Sequence, residues 1–195
     1  SLTPAAALAD GLHNITANAT NDAGNVSPST GIYPINVDTG IPTAPLDQLL
    51  TDDVGPVVGP INDGGITDDA TPTISGKGEP GNTVTVSDGG VIIGSALVKP
   101  DHTWSLTLTT PLADGVHAVS STQTDPAGNT GPATPVTDFT INTSAVTTPT
   151  ITTLQDDVGP VTGNVATGGV TDDKQPVIVG TAPAGNIVHV YDGSN

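Results

Sequence analysis

Thr83-Val84-Thr85-Val86-Ser87-Asp88-Gly89-Gly90 alternates valine with small hydroxyl side chains and then breaks at Asp-Gly-Gly. Successive residues of a strand face opposite sides, so Val84 and Val86 bury one face while the threonines keep the other wet. Asp-Gly is a hairpin signal, and residues 91–98 supply the returning strand. Working outward, the same grammar predicts strands over 46–50, 73–76 (entered at Pro72), 116–124 and 134–142. A further strand contains Trp104, Leu106 and Leu108. A long Gly- and Asp-rich loop through Asp69 separates the first two. About seven strands in roughly 100 residues, with turns at this spacing and no helical period, predict an antiparallel Greek-key β-sandwich. Its expected core is Ile74, Val84, Val86, Trp104, Leu106, Val119, Phe139 and Ile141.

The pattern repeats. Shifted by about 104 residues, Asp52-Asp53-Val54-Gly55-Pro56-Val57 returns as Asp156-Asp157-Val158-Gly159-Pro160-Val161. Gly65-Ile66-Thr67-Asp68-Asp69 returns as Gly169-Val170-Thr171-Asp172-Asp173, and Leu8-Ala9-Asp10-Gly11 as Leu112-Ala113-Asp114-Gly115. A period of this length is one small domain, not one solenoid turn. Residues 1–40 therefore match the second half of a repeat, 45–144 form a complete one, and 148–195 match a first half. Proline-rich links at 38–45 and 142–149 favour extended connections. Ser1 aligns with Ser105 inside a strand and Asn195 with Val91 just past a turn, so the expectation is a window on a longer chain. The alternative is that the two halves, from neighbouring copies, pair into a composite domain and propagate head to tail.

Twenty acidic residues against three lysines and no arginine give a formal charge of −17. That balance repels nucleic acid and anionic membranes and attracts cations. The absence of cysteine excludes disulfides and thiolate metal sites. No apolar run approaches the ~20 residues needed to span a bilayer.

Each repeat carries two Asp-Asp pairs around a loop containing Gly55, Gly59, Gly64 and Gly65. They are Asp52-Asp53 and Asp68-Asp69, copied as Asp156-Asp157 and Asp172-Asp173. Calcium takes six to eight oxygen ligands from a backbone that can curl, so these eight aspartates are the candidate metal ligands. Asp38, Asp114 and Asp125 are further candidates. Greek-key order puts the Asp pairs at the same end as the Asp114 turn and Asn142. The competing reading is that the aspartates are solvated turn formers, which for Asp125-Pro126-Ala127-Gly128-Asn129 explains the residues unaided. No stretch has EF-hand spacing.

Catalysis has no support in the motifs: no Gly-x-Ser-x-Gly elbow occurs, and no enzyme activity is expected. His13 and His117 share the parity of Ile15 and Val119 and read as rim-of-core residues. His102 and His189 have no counterparts at the repeat spacing. Four aromatic residues are too few for a platform that stacks sugars or bases.

Taken together, Asp-Asp-Val-Gly-Pro-Val, Gly-Gly-(Ile/Val)-Thr-Asp-Asp, Leu-Ala-Asp-Gly-x-His and Asp-x-Ala-Gly-Asn resemble the bacterial Ig-like tandem repeats of giant biofilm-associated surface adhesins, many of them exported by type I secretion. The resemblance covers the whole chain. It implies seven-stranded Ig-like sandwiches, calcium at or near domain junctions, and a secreted, cell-surface stalk that supports cell adhesion and biofilm formation. The implied partners are neighbouring repeats and other copies of the adhesin. Asn142 stands where the preceding repeat has Asp38, and Thr162-Gly163-Asn164 replaces Val58-Gly59-Pro60. The alternative function is that each repeat binds a glycan, a matrix protein or ice. Ice would call for ranked threonines, and those here are scattered.

Overall fold

A computed structural model describes residues 3–4 and 6–193. The described residues are all-β and contain no helix. They divide into two compact units, residues 1–143 and 144–195.

The centre of the first unit is a two-sheet sandwich. One sheet has the order β4-β3-β6-β9, formed by Gly59–Ile61, Leu46–Asp52, Thr73–Lys77 and Thr103–Thr107. The other has the order β5-β11-β10-β7-β8, formed by Gly65–Thr67, Thr137–Ile141, Gly115–Thr124, Thr83–Asp88 and Val91–Leu97. Leu50, Ile74, Val84, Val86, Val98, Trp104, Val119, Phe139 and Ile141 are buried between the sheets. Seven of the eight expected core residues are therefore buried. Leu106 is half-buried, packed against the core from its edge.

Two features of the sandwich differ from the sequence expectation. The loop through Asp69 is not structureless, because β4 and β5 lie within it. Three-residue strands are too short to show alternation, and pairing fixes them: Leu50 faces Ile61, while Phe139, Thr140 and Ile141 run parallel to Gly65, Ile66 and Thr67. The sandwich is thus not wholly antiparallel. The final strand also begins at Thr137 instead of 134. Pro135 has no N–H to give a ladder, and the Thr134 hydroxyl takes the place of a backbone acceptor for the Ser121 N–H at 3.0 Å.

Residues before the sandwich form a hairpin of β1 (Gly11–Ile15) and β2 (Tyr33–Val37). The connecting link is clamped to the sandwich. Thr43 donates to Glu79 Oε1 through its N–H and its hydroxyl, both at 2.9 Å, and the Thr43 carbonyl accepts from Gln123 Nε2 at 2.8 Å. Asn129 Nδ2 reaches the Asp38 carbonyl at 3.0 Å, and Pro42 and Pro45 are buried. Proline stiffness is therefore only part of what holds the link.

The second unit contains β12 (Thr150–Asp156), β13 (Gly163–Val165) and β14 (Val177–Thr181) in the order β13-β12-β14. The outer segments copy the middle one in register. Gly11↔Val37 repeats as Gly115↔Ile141, and Leu50↔Ile61 repeats as Leu154↔Val165. The β-bulge that shifts β3 between Leu46 and Leu49 returns in β12 between Ile151 and Thr153.

Candidate metal site

Each Asp-Asp pair splits because neighbouring residues near a strand end face opposite ways. Asp52 shares the inward parity of Leu50 and is buried, whereas Asp53 is exposed. Likewise Thr67 and Asp69 are buried, while Ile66 and Asp68 are exposed. The inward residues form one hydrogen-bonded staple. Asp52 Oδ2 accepts from the Thr67 hydroxyl at 2.6 Å and Oδ1 from the Val54 N–H at 2.9 Å. Asp69 N–H donates to Thr67 Oγ1 at 3.0 Å, and Asp69 Oδ1 accepts from the Thr71 N–H at 2.7 Å. The Asp53 N–H completes the set with a long bond to Asp69 Oδ2. A cysteine-free loop is thereby tied across the sandwich by buried carboxylates whose donors are all neutral.

The copy preserves this arrangement. Asp156 accepts from Thr171 Oγ1 at 2.6 Å and from the Val158 N–H at 3.0 Å, and Asp173 Oδ1 accepts from the Gln175 N–H at 2.7 Å. One bond is missing: Asp173 Oδ2 is buried and has no partner among the described residues. The outward residues also repeat. Asp68 lies over Gly55 (φ +74°), and Asp172 over Gly159 (φ +82°), each so close that a Cβ on the glycine would meet the carboxylate. Asp53 and Asp157 are both exposed.

The further candidates fall at two ends. Asp114 Oδ1 accepts from the Thr143 N–H at 3.1 Å and from its hydroxyl at 2.8 Å, and the Asn142 N–H donates to the Thr67 carbonyl at 2.9 Å. Asp114, Asn142 and the Asp52–Asp69 staple thus share one end of the sandwich, as Greek-key order predicts. Asp125 and Asp38 lie at another place, beside the entering link, where Asn129 Nδ2 donates both to the Asp38 carbonyl and to Asp125 Oδ2. Both Asp125 oxygens are used within its turn, by the N–H groups of Ala127 and Asn129 and by Asn129 Nδ2, all at 2.9 Å. The Asn129 side-chain bond is the main cause holding the Asp125 carboxyl below its ordinary pKa. Asp38 Oδ1 accepts from the Gly40 N–H at 3.0 Å.

A hard cation needs carboxylate and carbonyl oxygens, and the donor set here is of that kind. The unpartnered Asp173 Oδ2 is an anionic oxygen that a cation or water would satisfy. Among the described residues, however, no group of three His, Asp or Glu side chains is placed to hold one metal ion. The residues left to hold one are the outward Asp53 and Asp68, with Asp157, Asp172 and Asp173 Oδ2 in the copy.

Sequence reasoning did not find a second polar site. The His117 ring lies against Phe139, with Nδ1 2.7 Å from Asp88 Oδ2 and Nε2 2.8 Å from the Ala113 carbonyl. Both ring nitrogens face acceptors, which only the protonated imidazole satisfies. Burial opposes the charge. The hydrogen bonds to Asp88 and Ala113 and the Asp88 charge outweigh it, so the pKa is raised above its ordinary value. The signal was present, since His117 has core parity and Asp88 ends the neighbouring strand of the same sheet.

With this geometry in place, residues 55–143 match the model of the bacterial Ig-like domain family. The matched segment holds the Asp68-Asp69 pair and every strand from β4 to β11. Together with the two sheets described above, it defines the fold class as an Ig-like β-sandwich. Such domains are generally non-enzymatic and typically extracellular or at the cell surface. A comparison with curated proteins finds no match. No helix among the described residues is long and apolar enough to cross a membrane.

Proposed function

We propose that this chain is a stretch of the extender, or stalk, of a secreted bacterial cell-surface adhesin, in which tandem Ig-like repeats space a distal adhesive tip from the cell and so support adhesion and biofilm formation. The observation that carries this reading is the return of whole strand registers at the repeat spacing, staple included. A chain that copies its beads and links is suited to setting length. The clamped link at residues 38–45 supports stiffness between the hairpin and the sandwich that follows it.

Calcium is the proposed cofactor. The formal charge of −17 leaves each repeat with excess carboxylates, and self-repulsion of this kind is relieved by bound cations. Asp53 and Asp68, and their copies Asp157 and Asp172, would hold the ion at the end of each sandwich. Asp52 and Asp69 stand behind them as the staple that fixes the loop. X-ray scattering of the dilute chain in calcium and then in chelator tests the proposal. The expected result is a longer maximum dimension in calcium than in EDTA, with magnesium unable to replace it. Identical profiles in all three conditions would remove calcium from the stiffening.

A further inference from the structure

The Leu-Ala-Asp-Gly-x-His turn occurs at residues 8–13 and again at 112–117, and it folds the same way both times. Its glycine opens a strand at a φ that side chains avoid, +125° at Gly11 and +137° at Gly115. That glycine pairs with the last residue of the partner strand, Val37 or Ile141. In an antiparallel ladder this register sets the preceding aspartate beside the residues that leave the partner strand. Asp114 holds the second of them, accepting from the Thr143 N–H at 3.1 Å and from its hydroxyl at 2.8 Å. Asp10 holds Thr39 alike. Its Oδ1 accepts from the Thr39 N–H at 3.2 Å, and the hydroxyl lies 3.0 and 3.1 Å from the two carboxylate oxygens.

These bonds fall where the chain leaves the fold. The first compact unit ends at Thr143. In the link at 38–45, Thr39 is held by the hairpin behind it. Asp38 and Thr43 are held by the sandwich ahead, through Asn129, Glu79 and Gln123. One link is thus gripped from both sides, and Asp10 supplies the hairpin's share.

The histidine stands behind the aspartate. His13 Nε2 lies 2.7 Å from the Ala9 carbonyl and His117 Nε2 2.8 Å from the Ala113 carbonyl, in each case the residue just before the aspartate. His117 Nδ1 also lies 2.7 Å from Asp88 Oδ2, at the end of β7. A neutral imidazole has one N–H and cannot donate to both acceptors. The carboxylate is the stronger of the two, so the bond lost on deprotonation is the one to Ala113. Among the described residues, Asp88 is the one charged group acting on the ring. β11 brings the uncharged Phe139, with Asp138 exposed on the opposite face, and Asp114 is turned to Thr143. Burial opposes the charge, but the bonds to Asp88 and Ala113 and the Asp88 charge keep the ring protonated to a higher pH than an ordinary histidine.

We infer that this turn is the exit latch of each repeat: the aspartate positions the outgoing link by holding its threonine, and in the sandwich the protonated His117 holds the turn that presents Asp114. The latch of the sandwich is firm in mildly acid surroundings and slackens as the pH rises through the titration of His117.

Amide hydrogen exchange on the 195-residue chain, expressed as protection over the intrinsic rate at each pH, tests this. EDTA throughout keeps bound cations out of the result. Asp114→Ala lowers protection of the Thr143 N–H about ten-fold, the weight of one bond to a charged acceptor, and Asp10→Ala does the same at Thr39. Asp114→Asn, whose amide oxygen still accepts, retains more protection than Asp114→Ala. In the wild type, protection at Thr143 falls as His117 titrates, and falls further than at the buried Ser121 N–H, which reports the sandwich as a whole. His117→Gln has no titrating proton and flattens that profile. Unchanged emission of the buried Trp104 shows that the sandwich stays folded in each variant. Protection at Thr143 that survives Asp114→Ala, or an asparagine variant no better than the alanine, overturns the latch. A wild-type profile that only follows Ser121, or one equally steep in His117→Gln, overturns the part given to the histidine.

Discussion

His117 and Asp69 show how single side chains set the response of this fold to its surroundings. Because the His117 pKa is raised in the folded state, its stabilisation is fully present below the unfolded value of about 6.5 and is lost as pH rises through the folded value. Asp88→Asn keeps an acceptor for the Ala118 N–H, bonded at 2.8 Å, while removing the charge. It should therefore lower stability by about 1 kcal/mol near pH 6, with a smaller gap to wild type at alkaline pH, above the raised folded pKa of His117. Chemical denaturation at the two pH values reads this directly, and an equal gap at both would remove the ion pair from the argument. Asp69 acts differently, as a fully buried staple. Asp69→Ala leaves the Thr71 N–H without its acceptor and should cost about 1–3 kcal/mol, whereas Asp68→Ala, at an exposed carboxylate, should cost little without metal. Equal melting temperatures for the two variants in EDTA would count against the staple. Trp104→Ala should cost about 3–5 kcal/mol, because it empties the largest buried position and abandons the 3.2 Å bond from Nε1 to the Lys77 carbonyl.

At the scale of elements, the link between hairpin and sandwich rests on close approach. Gly131 lies so near the Pro42 carbonyl that a Cβ cannot fit between them. Gly131→Ala should displace the link from Glu79 and Gln123 at a cost of about 1–3 kcal/mol, and limited proteolysis should then cut within residues 38–45 before the sandwich opens. Protection of the link in the variant would show that prolines alone hold it. Sequence periodicity could supply only part of such an account. Strands with at least two alternations, such as β7 and β10, were legible because each needs one buried face. β4 and β5 were not, because three residues carry no period and are fixed by partners remote in sequence. The positions of the acidic pairs were legible too. Their division into an inward staple and an outward pair was not drawn from the sequence, although the shared parity of Leu50 with Asp52, and of Thr67 with Asp69, contains it. Glu79, Gln123 and Asn129 were missed as clamps for a plainer reason: each acts on a link that is distant in sequence.

For the whole molecule, charge is the governing quantity. With a formal charge of −17 and two exposed cation-seeking positions in each acidic loop, the folded chain lies in an unfavourable field of its own making. Any divalent ion screens that field, so a gain in stability common to calcium and magnesium reports screening alone. A specific site adds a further term, RT ln(1 + [L]/Kd), which is about 2.7 kcal/mol at a hundred-fold excess of ligand over Kd. Flexible, glycine-rich loops with carboxylate and carbonyl donors suit calcium better than the tight octahedron magnesium demands. Calcium should therefore raise the melting temperature well above that in magnesium at equal ionic strength. The excess should appear at about 10⁻⁴ to 10⁻³ M, the range common to extracellular calcium modules. Asp53→Asn combined with Asp68→Asn should abolish the excess at the central sandwich while leaving its melting temperature in EDTA nearly unchanged, since neither side chain belongs to the staple, to which Asp53 contributes only its N–H. Melting curves in EDTA, magnesium and calcium on both proteins decide the matter. Coincident curves for the wild type in all three would leave the carboxylates as turn formers and the sandwich indifferent to metal.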